Sequence, residues 1–402
     1  MVTLAPWRWL GDWGQRSWQR VERRLSDPQL YPFLRSNPLT RWVTRRRTAR
    51  LYDLMSGFAN TQVLVACVRL KLLERLAHEA LSAKALAQLV QVPESRLLPL
   101  LGAAQSLGLL RRQRDGRYEL AALALPLLSH PGLQAMVEHN QLLYQDLAEP
   151  EVFLRERGGL MHAFWPYVEG MADRATPDAS SVQQSQRYSE LMDLSQVFVV
   201  EEVLASHRFG QHHCVLDVGC GMGRFMTRVG QQFPALRLQL FDLPPVVALA
   251  SERLQQAGLN GRFECHAGSF KTDPLPRGAD LITLVRIGHD HSDEVVADLL
   301  HKAWEALPVG GQLLLAEPMA HAELDQANAS AYFHFYLMAM GDGRLRSRQD
   351  YERLLKQAGF DRVEHIQTGM SIHAQVILAS KLGLTPVFNS ISKDRLTHVN
   401  VR

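Results

Sequence analysis

The chain has 402 residues, 46% of them hydrophobic and 21% charged, with 27 glycines and 19 prolines. At roughly 100–200 residues per domain, that length asks for two or three domains and excludes a single small one. No run approaches the roughly 18–20 apolar residues of a spanning helix, and no secretory signal opens the chain, so a cytoplasmic location is expected. Cys67, Cys214, Cys220 and Cys265 are scattered without a C-x-x-C pair, so neither a disulfide framework nor a zinc site is expected. No cluster of hard oxygen ligands suggests any other metal.

The formal net charge of +3 hides a strong polarity. Residues 1–50 hold eleven arginines against Asp12, Glu22 and Asp27, a balance of +8 that leaves −5 for the remainder. They also hold Trp7, Trp9, Trp13, Trp18 and Trp42, five of the seven tryptophans. Arginine with tryptophan is the composition of a peripheral anchor on an anionic membrane surface. An arm packed across a dimer, or a disordered one, reads equally well, because Pro28, Pro32 and Pro38 prevent one long amphipathic helix.

Helical spacing from Leu51 to about Ala80 predicts one or two helices. Ser82 reads as the N-cap of Ala83–Val90, and Val92-Pro93-Glu94 separates this from a second helix through Leu97, Leu98, Leu101 and Leu107 to Leu110. Asp115-Gly116 centres a hairpin over Arg111–Leu120. Helix, turn, helix, hairpin is the order of a winged helix, placed at 51–125. Such domains often read DNA, yet the second helix offers only Arg96 as a base-contacting cation. Arg111, Arg112, Arg114 and Arg117 on the hairpin leave weak phosphate binding open. No nucleic-acid partner is expected, the apolar faces are read as a homodimer interface, and a non-catalytic regulator stays as an alternative.

Residues 126–205 look helical and proline-interrupted, a connector able to roof a site. From 206 to 381, short β-rich runs alternate with helical ones. Strands are expected at Cys214–Val218, Leu236–Phe241, Arg262–Ala267, Ala279–Ile287 and Gln312–Ala316, with helices at Arg224–Gln232, Val246–Ala257 and Asp293–Leu307. A helix at Ser347–Ala358 and an antiparallel pair, Arg362–Thr368 with Ile372–Ser380, close the fold. The fold class expected is α/β, a Rossmann-like domain with a mostly parallel sheet behind a mainly helical winged-helix domain. Residues 382–402 form a C-terminal tail.

The run from Val215 to Phe225, VLDVGCGMGRF, drives an apolar strand into three alternating glycines and then a helix, so that backbone can approach a ligand at the strand's carboxyl end. Alone, such a turn can be merely structural. Asp242, about 20 residues on at the end of the second strand, adds a carboxylate able to accept both hydroxyls of a ribose. The spacing is G-x-G-x-G rather than the dinucleotide G-x-G-x-x-G, and Asp217 precedes the first glycine. An acidic entrance suits S-adenosylmethionine, an adenosine without phosphate.

With these residues the chain resembles the class I S-adenosylmethionine-dependent methyltransferases, and among them the O-methyltransferase family that includes plant caffeate and bacterial small-molecule enzymes. The matching motifs are Asp217–Gly223, Phe241–Pro244, Gly268-Ser269-Phe270, His289–Glu294 and Ala306–Gly311 leading into Leu314–Glu317. Longer phrases, including Leu284-Val285-Arg286, Ala316–Met319, Phe164–Tyr167 and Tyr336–Gly341, are similar to the branch that methylates hydroxylated carotenoids. The resemblance implies an O-methyltransferase acting on a hydrophobic small molecule, the tertiary 1-hydroxyl of an acyclic carotenoid. Another greasy acceptor, a bacteriochlorin carbon or a phenol or quinone-type hydroxyl, stays open.

The resemblance also implies roles. Asp242 and Leu243 hold the ribose; Asp217, Gly219, Gly221 and Gly223 line the methionine moiety; Ser269 and Phe270 lie along the adenine, and Arg286 belongs to the same cofactor set. His289 falls on the family's general base, oriented by Glu317. Trp165, Met192, Phe333, Tyr336 and Met340 are expected to wall the acceptor pocket. Two positions depart from the pattern. Leu345 stands where the family often places a second carboxylate beside the histidine, and Ser269 where the adenine loop usually has an acid.

Overall fold

The computed structural model describes residues 27–38, 40–156, 159–164, 192–193, 196–320, 327–369 and 374–383. Trp7, Trp9, Trp13, Trp18, Trp165 and the C-terminal tail beyond residue 383 lie outside them. The chain forms two compact units, Met1–Leu128 and Ser129–Arg402.

In the first unit the expected break at residue 50 is absent. After a 3-10 turn at Pro28–Leu30 and a short helix α1 (Tyr31–Ser36), one helix α2 runs from Arg41 to Arg69. Pro32 fits within the first turn of α1, and the residue before Pro38, Asn37, is extended with ψ 125°, so the chain is broken there. Beyond Pro38 nothing interrupts the helix until Lys71 turns left-handed at φ 54°. The first half of α2 is mostly exposed, Thr44 excepted, and its buried apolar residues, Val65, Cys67 and Val68, lie near its end. A short α3 (Leu72–Arg75) leads to α4 (Ala83–Val90), capped as expected by Ser82 Oγ accepting from the Ala85 N–H at 3.2 Å. Helix α5 (Glu94–Ser106) stops four residues short of the expected Leu110, because Gly108 turns left-handed and Leu110 enters a strand. β1 (Leu110–Arg112) and β2 (Tyr118–Leu120) pair antiparallel, Leu110 against Leu120, around Gly116. Leu72, Leu73, Leu86, Leu97 and Leu101 are fully buried here.

The second unit opens with helices α6 (Pro131–Asp146), α7 (Pro150–Arg155) and α8 (Leu160–Phe164) and continues from α9 (Val197–Ser206) into the sheet. The strands are β3 (Cys214–Val218), β4 (Arg237–Asp242), β5 (Phe263–Ala267), β6 (Leu281–Val285), β7 (Gln312–Glu317), β8 (Arg362–Ile366) and β9 (Gln375–Ser380), each within a few residues of its expected place. Their order is β5-β4-β3-β6-β7-β9-β8, parallel through the first five and antiparallel where β9 meets β7 and β8. β3 and β6 are buried along their whole length, as parallel strands covered on both faces must be. Side chains alternate between two cores. Leu216, Ile282 and Leu315 pack with Leu299 and Leu355; Val215, Leu281 and Leu314 pack with Val203 of α9, and with Val229 and Leu254.

The helices between the strands are α10 (Arg224–Gln232), α11 (Pro244–Gln256), α12 (Asp293–Ala306), α13 (Ala327–Met340) and α14 (Arg348–Ala358). Because β4 and β5 extend the sheet to one side of β3 while β6 and β7 extend it to the other, the chain reverses direction beside β3. A crevice opens there at the carboxyl ends of the strands.

Candidate active site

The loop that leaves β3 is shaped by Gly219, Gly221 and Gly223, whose φ values of 71°, 53° and 75° lie in the left-handed region. Their surroundings differ. A Cβ on Gly219 would stand 2.4 Å from Ile287 Cδ1, one on Gly221 would meet nothing within 4 Å, and one on Gly223 would meet Leu254 and Ala250 at 2.9 and 3.1 Å. Gly219 and Gly221 line the cavity, whereas Gly223, expected in the cofactor set, stands off its wall and lets α10 pack on α11.

Asp217 departs from expectation as well. It is buried behind the loop rather than on the cavity wall, and its carboxylate accepts a 2.7 Å bond from the Thr283 hydroxyl. Burial, with the nearby Asp242 adding to it, pushes its pKa up to about 7.

Asp242 ends β4 facing the cavity. Its Oδ2 accepts the Gly221 N–H at 2.8 Å and its Oδ1 the Leu243 N–H at 2.7 Å, which fixes the carboxylate plane and leaves a lone pair on each oxygen for a vicinal diol. Burial raises its pKa to about 6 against these two bonds. Arg224, the cation at the start of α10, is taken up by Asp193, which also holds Arg253. A pyrophosphate would find its countercharge already engaged; a neutral ribose suits the site. Leu243, Ser269 and Phe270 line the same cavity, and the loop carrying Ser269 is closed by its own N–H donating to Asp273 at 2.8 Å.

His289 lies on a 3-10 turn, Gly288–Asp290, that follows β6, and is 3% exposed. Glu317, at the end of β7 and fully buried, accepts the N–H groups of Ile287 and Gly288 at 2.9 and 2.6 Å and the His289 Nδ1 at 2.6 Å. A carboxylate acceptor at Nδ1 places the ring proton there, so that Nε2 is the ring nitrogen left to act as a base. Arg286, just ahead of the turn, adopts φ 60°, a strained conformation for a residue with a side chain. Its guanidinium lies 6.0 Å from the Phe333 ring centroid.

Motif reading missed Asp290 as a partner of the base. Its Oδ1 lies 3.3 Å from His289 Nε2 and is buried without a hydrogen bond, and burial raises its pKa. Its place beside His289 in the chain was the available signal. Leu345 is buried among Leu143, Met161 and Tyr336, so the flanking carboxylate comes from the turn itself.

The cavity joins Met192, Gly221, Asp242, Phe270, Arg286, His289, Tyr336 and Met340, among others. Of the expected acceptor walls it brings together Met192, Tyr336 and Met340. Phe333 packs against Tyr332 and beneath Arg286 instead of on the wall, and Trp165 lies outside the described residues. Tyr336 is pinned by His139 of α6 at 3.3 Å, and Tyr332 donates to Asn140 at 3.0 Å, so the helical segment expected as a connector does cover α13.

A doubly covered parallel sheet with a glycine turn, a carboxylate at the end of the second strand and a histidine–glutamate pair at one crevice defines a methyltransferase-type fold. Residues 144–361 match the O-methyltransferase domain and residues 52–130 the O-methyltransferase dimerisation domain, and the chain belongs to that family. It is 40% identical over 352 residues to the demethylspheroidene O-methyltransferase of Cereibacter sphaeroides, covering 87% of this chain and 88% of that protein. With the enzyme of the same name from Rhodobacter capsulatus it shares 38% over 356 residues, 88% and 87% of the two chains. The crystal structure of apo S-adenosylmethionine-dependent methyltransferase SibL superposes with a TM-score of 0.70 at 24% identity, over 83% of this chain and 98% of that one, a likeness of fold. The regulator alternative gains no support.

Proposed function

We propose that this chain is an S-adenosylmethionine-dependent O-methyltransferase whose acceptor is a hydroxyl on an apolar small molecule, the tertiary 1-hydroxyl of an acyclic carotenoid. One observation carries the reading: a single cavity is lined by both Asp242, whose carboxylate can accept a diol, and His289, whose ring is held by Glu317. The relatives named for demethylspheroidene support the acceptor, as does a wall built from Met192, Tyr336 and Met340.

S-adenosylmethionine bound there supplies an electrophilic methyl group on a sulfonium. Asp242 accepts the ribose hydroxyls, and the Gly219–Gly221 backbone leaves room beside it. Ser269 and Phe270 flank the adenine, and Arg286 borders the passage to the base. His289 Nε2 accepts the proton of the acceptor hydroxyl while Glu317 holds the ring and steadies the imidazolium that forms. A tertiary alcohol is far less acidic than a phenol, so the proton leaves late and alignment does much of the work.

The same reading has the protein act as a homodimer through the dimerisation domain and reach its acceptor at a membrane surface through residues 1–50. The exposed Arg41, Arg45, Arg46, Arg47 and Arg50 support the latter. Purified protein is incubated with S-adenosylmethionine and either a 1-hydroxycarotenoid or a phenolic acceptor, and mass spectrometry locates the added methyl. Methylation of the carotenoid oxygen is expected, and a drop of about 100-fold or more in turnover for His289→Ala. Methyl found on carbon or on the phenol alone overturns the acceptor; undiminished turnover in His289→Ala overturns the base.

A further inference from the structure

Next to Leu345, which stands where the family often places a second carboxylate, the chain buries a cation. Arg346 heads the fully buried side chains by size, at 0% exposure. Its Nη1 donates to the Gly288 carbonyl at 2.6 Å, its Nη2 to the His291 carbonyl at 2.8 Å and its Nε to Asp293 Oδ1 at 2.8 Å. The guanidinium carbon lies 5.8 Å from the ring centroid of Tyr351. A guanidinium is buried at this depth only where its donors are matched, and two of the acceptors here are carbonyls that bracket His289.

The rest of the segment presses on the same turn. The Arg344 N–H donates to the His289 carbonyl at 2.8 Å, and a Cβ on Gly343 would stand 2.9 Å from that oxygen. Glu317 binds the turn from its N–H side, through Ile287 and Gly288. The turn is thus gripped on both sides, its donors by a carboxylate and its acceptors by a guanidinium.

We infer that Arg346 is a positioning residue for methyl transfer: by fixing the carbonyls of Gly288 and His291 it aims His289 Nε2 into the cavity. The inference rests on His289 being the base. The bonds of Arg346 go to the turn, to Asp293 and, more weakly at 3.4 Å, to the Arg344 carbonyl beside it, and none goes to Asp242 or the glycine loop. Its loss therefore misaligns the base and leaves the cofactor's ribose and methionine contacts in place.

The test compares Arg346→Ala, Arg346→Lys and His289→Ala in the full-length protein. Steady-state methyl transfer to the hydroxylated acceptor, calorimetric S-adenosylmethionine binding and thermal melting are measured for each. In Arg346→Ala, kcat should fall about 30-fold or more, since a misplacement near 1 Å costs on that order. Its cofactor Kd should stay within about threefold of wild type, and millimolar guanidinium should restore part of the rate. A lysine places one ammonium where three directed bonds are needed, so Arg346→Lys should be intermediate in kcat. If the alanine variant does not fold, the lysine variant decides by the same split of kcat from Kd. Wild-type kcat in either variant overturns the inference, as does a parallel loss of kcat and cofactor binding without rescue. Full turnover in His289→Ala instead overturns the reading beneath it.

Discussion

Asp242 and Asp217 show how one end of a sheet gives two buried acids different work. The Asp242 carboxylate is aimed by the N–H groups of Gly221 and Leu243. Replacing it with asparagine removes a charged acceptor, and S-adenosylmethionine affinity measured by calorimetry should fall about 10–100-fold. Its pKa of about 6 predicts affinity that is flat above pH 7 and declines about tenfold per unit below pH 6, as the free carboxyl takes up a proton. Asp217, at about 7, acts on stability instead. The unfolded chain loses this proton near pH 4, so the stability it contributes is full below that value and is lost as pH rises toward 7, by on the order of a few kcal/mol. Asp217→Asn lacks this slope, and its melting temperature should fall less than that of the wild type between pH 5 and pH 8. Asp242 and His289 were legible in the sequence because each stands at or just beyond the carboxyl end of a strand. Arg346 was not, because its partners on the turn and at Asp293 lie 53 to 58 residues away and no local pattern records a buried fork.

At the level of elements, the three glycines of the first turn look alike in sequence and differ by what faces them. On Gly223 a methyl would meet Ala250 and Leu254 while φ stays at 75°, so Gly223→Ala should lower the melting temperature by roughly 5–10 °C. On Gly221 the space is open toward the cavity, so Gly221→Ala should shift melting less while weakening cofactor binding. A pair of thermal scans with and without S-adenosylmethionine separates the two. Strand positions were legible because buried apolar runs alternate with helical spacing. The end of α5 was not, since Leu107 and Leu110 continue a helical pattern past the point where Gly108 turns the chain. The start of α2 was missed for the reverse reason: the ten residues before Leu51, half of them arginine, carry no apolar period, yet nothing in them stops a helix.

At the scale of the whole molecule, charge and fold divide the chain differently. Five arginines and Trp42 stand on the first ten residues of α2, ahead of the dimerisation match at 52–130. Exposed apolar residues follow on the same helix, among them Leu54 at 68% and Phe58 at 71%. Among the described residues no helix is long and apolar enough to cross a membrane. An anchoring role then predicts co-sedimentation with anionic vesicles that weakens with salt. Replacing Arg41, Arg45, Arg46, Arg47 and Arg50 by glutamine should reduce it at least tenfold, at about 1 kcal/mol for each cation. Unchanged sedimentation assigns these arginines to protein contacts instead. The charge polarity was visible in composition alone; which stretch is helical was not.

Helix α12, Asp293–Ala306, reaches two parts of the cavity. Near its start Asp293 receives Arg344 and Arg346 from beside the turn that carries His289, and about two and a half turns later Lys302 donates to the carbonyls of Phe270 and Lys271 at 2.8 and 3.3 Å. One rigid rod therefore ties the wall expected along the adenine to the turn that carries the base. A ligand that stills one end must quiet the other, so amide hydrogen exchange at residues 288–292 should slow when adenosine alone fills the distant half of the cavity. The enzyme would then sense its donor before any acceptor arrives, which makes an ordered sequence of binding a property of a single helix.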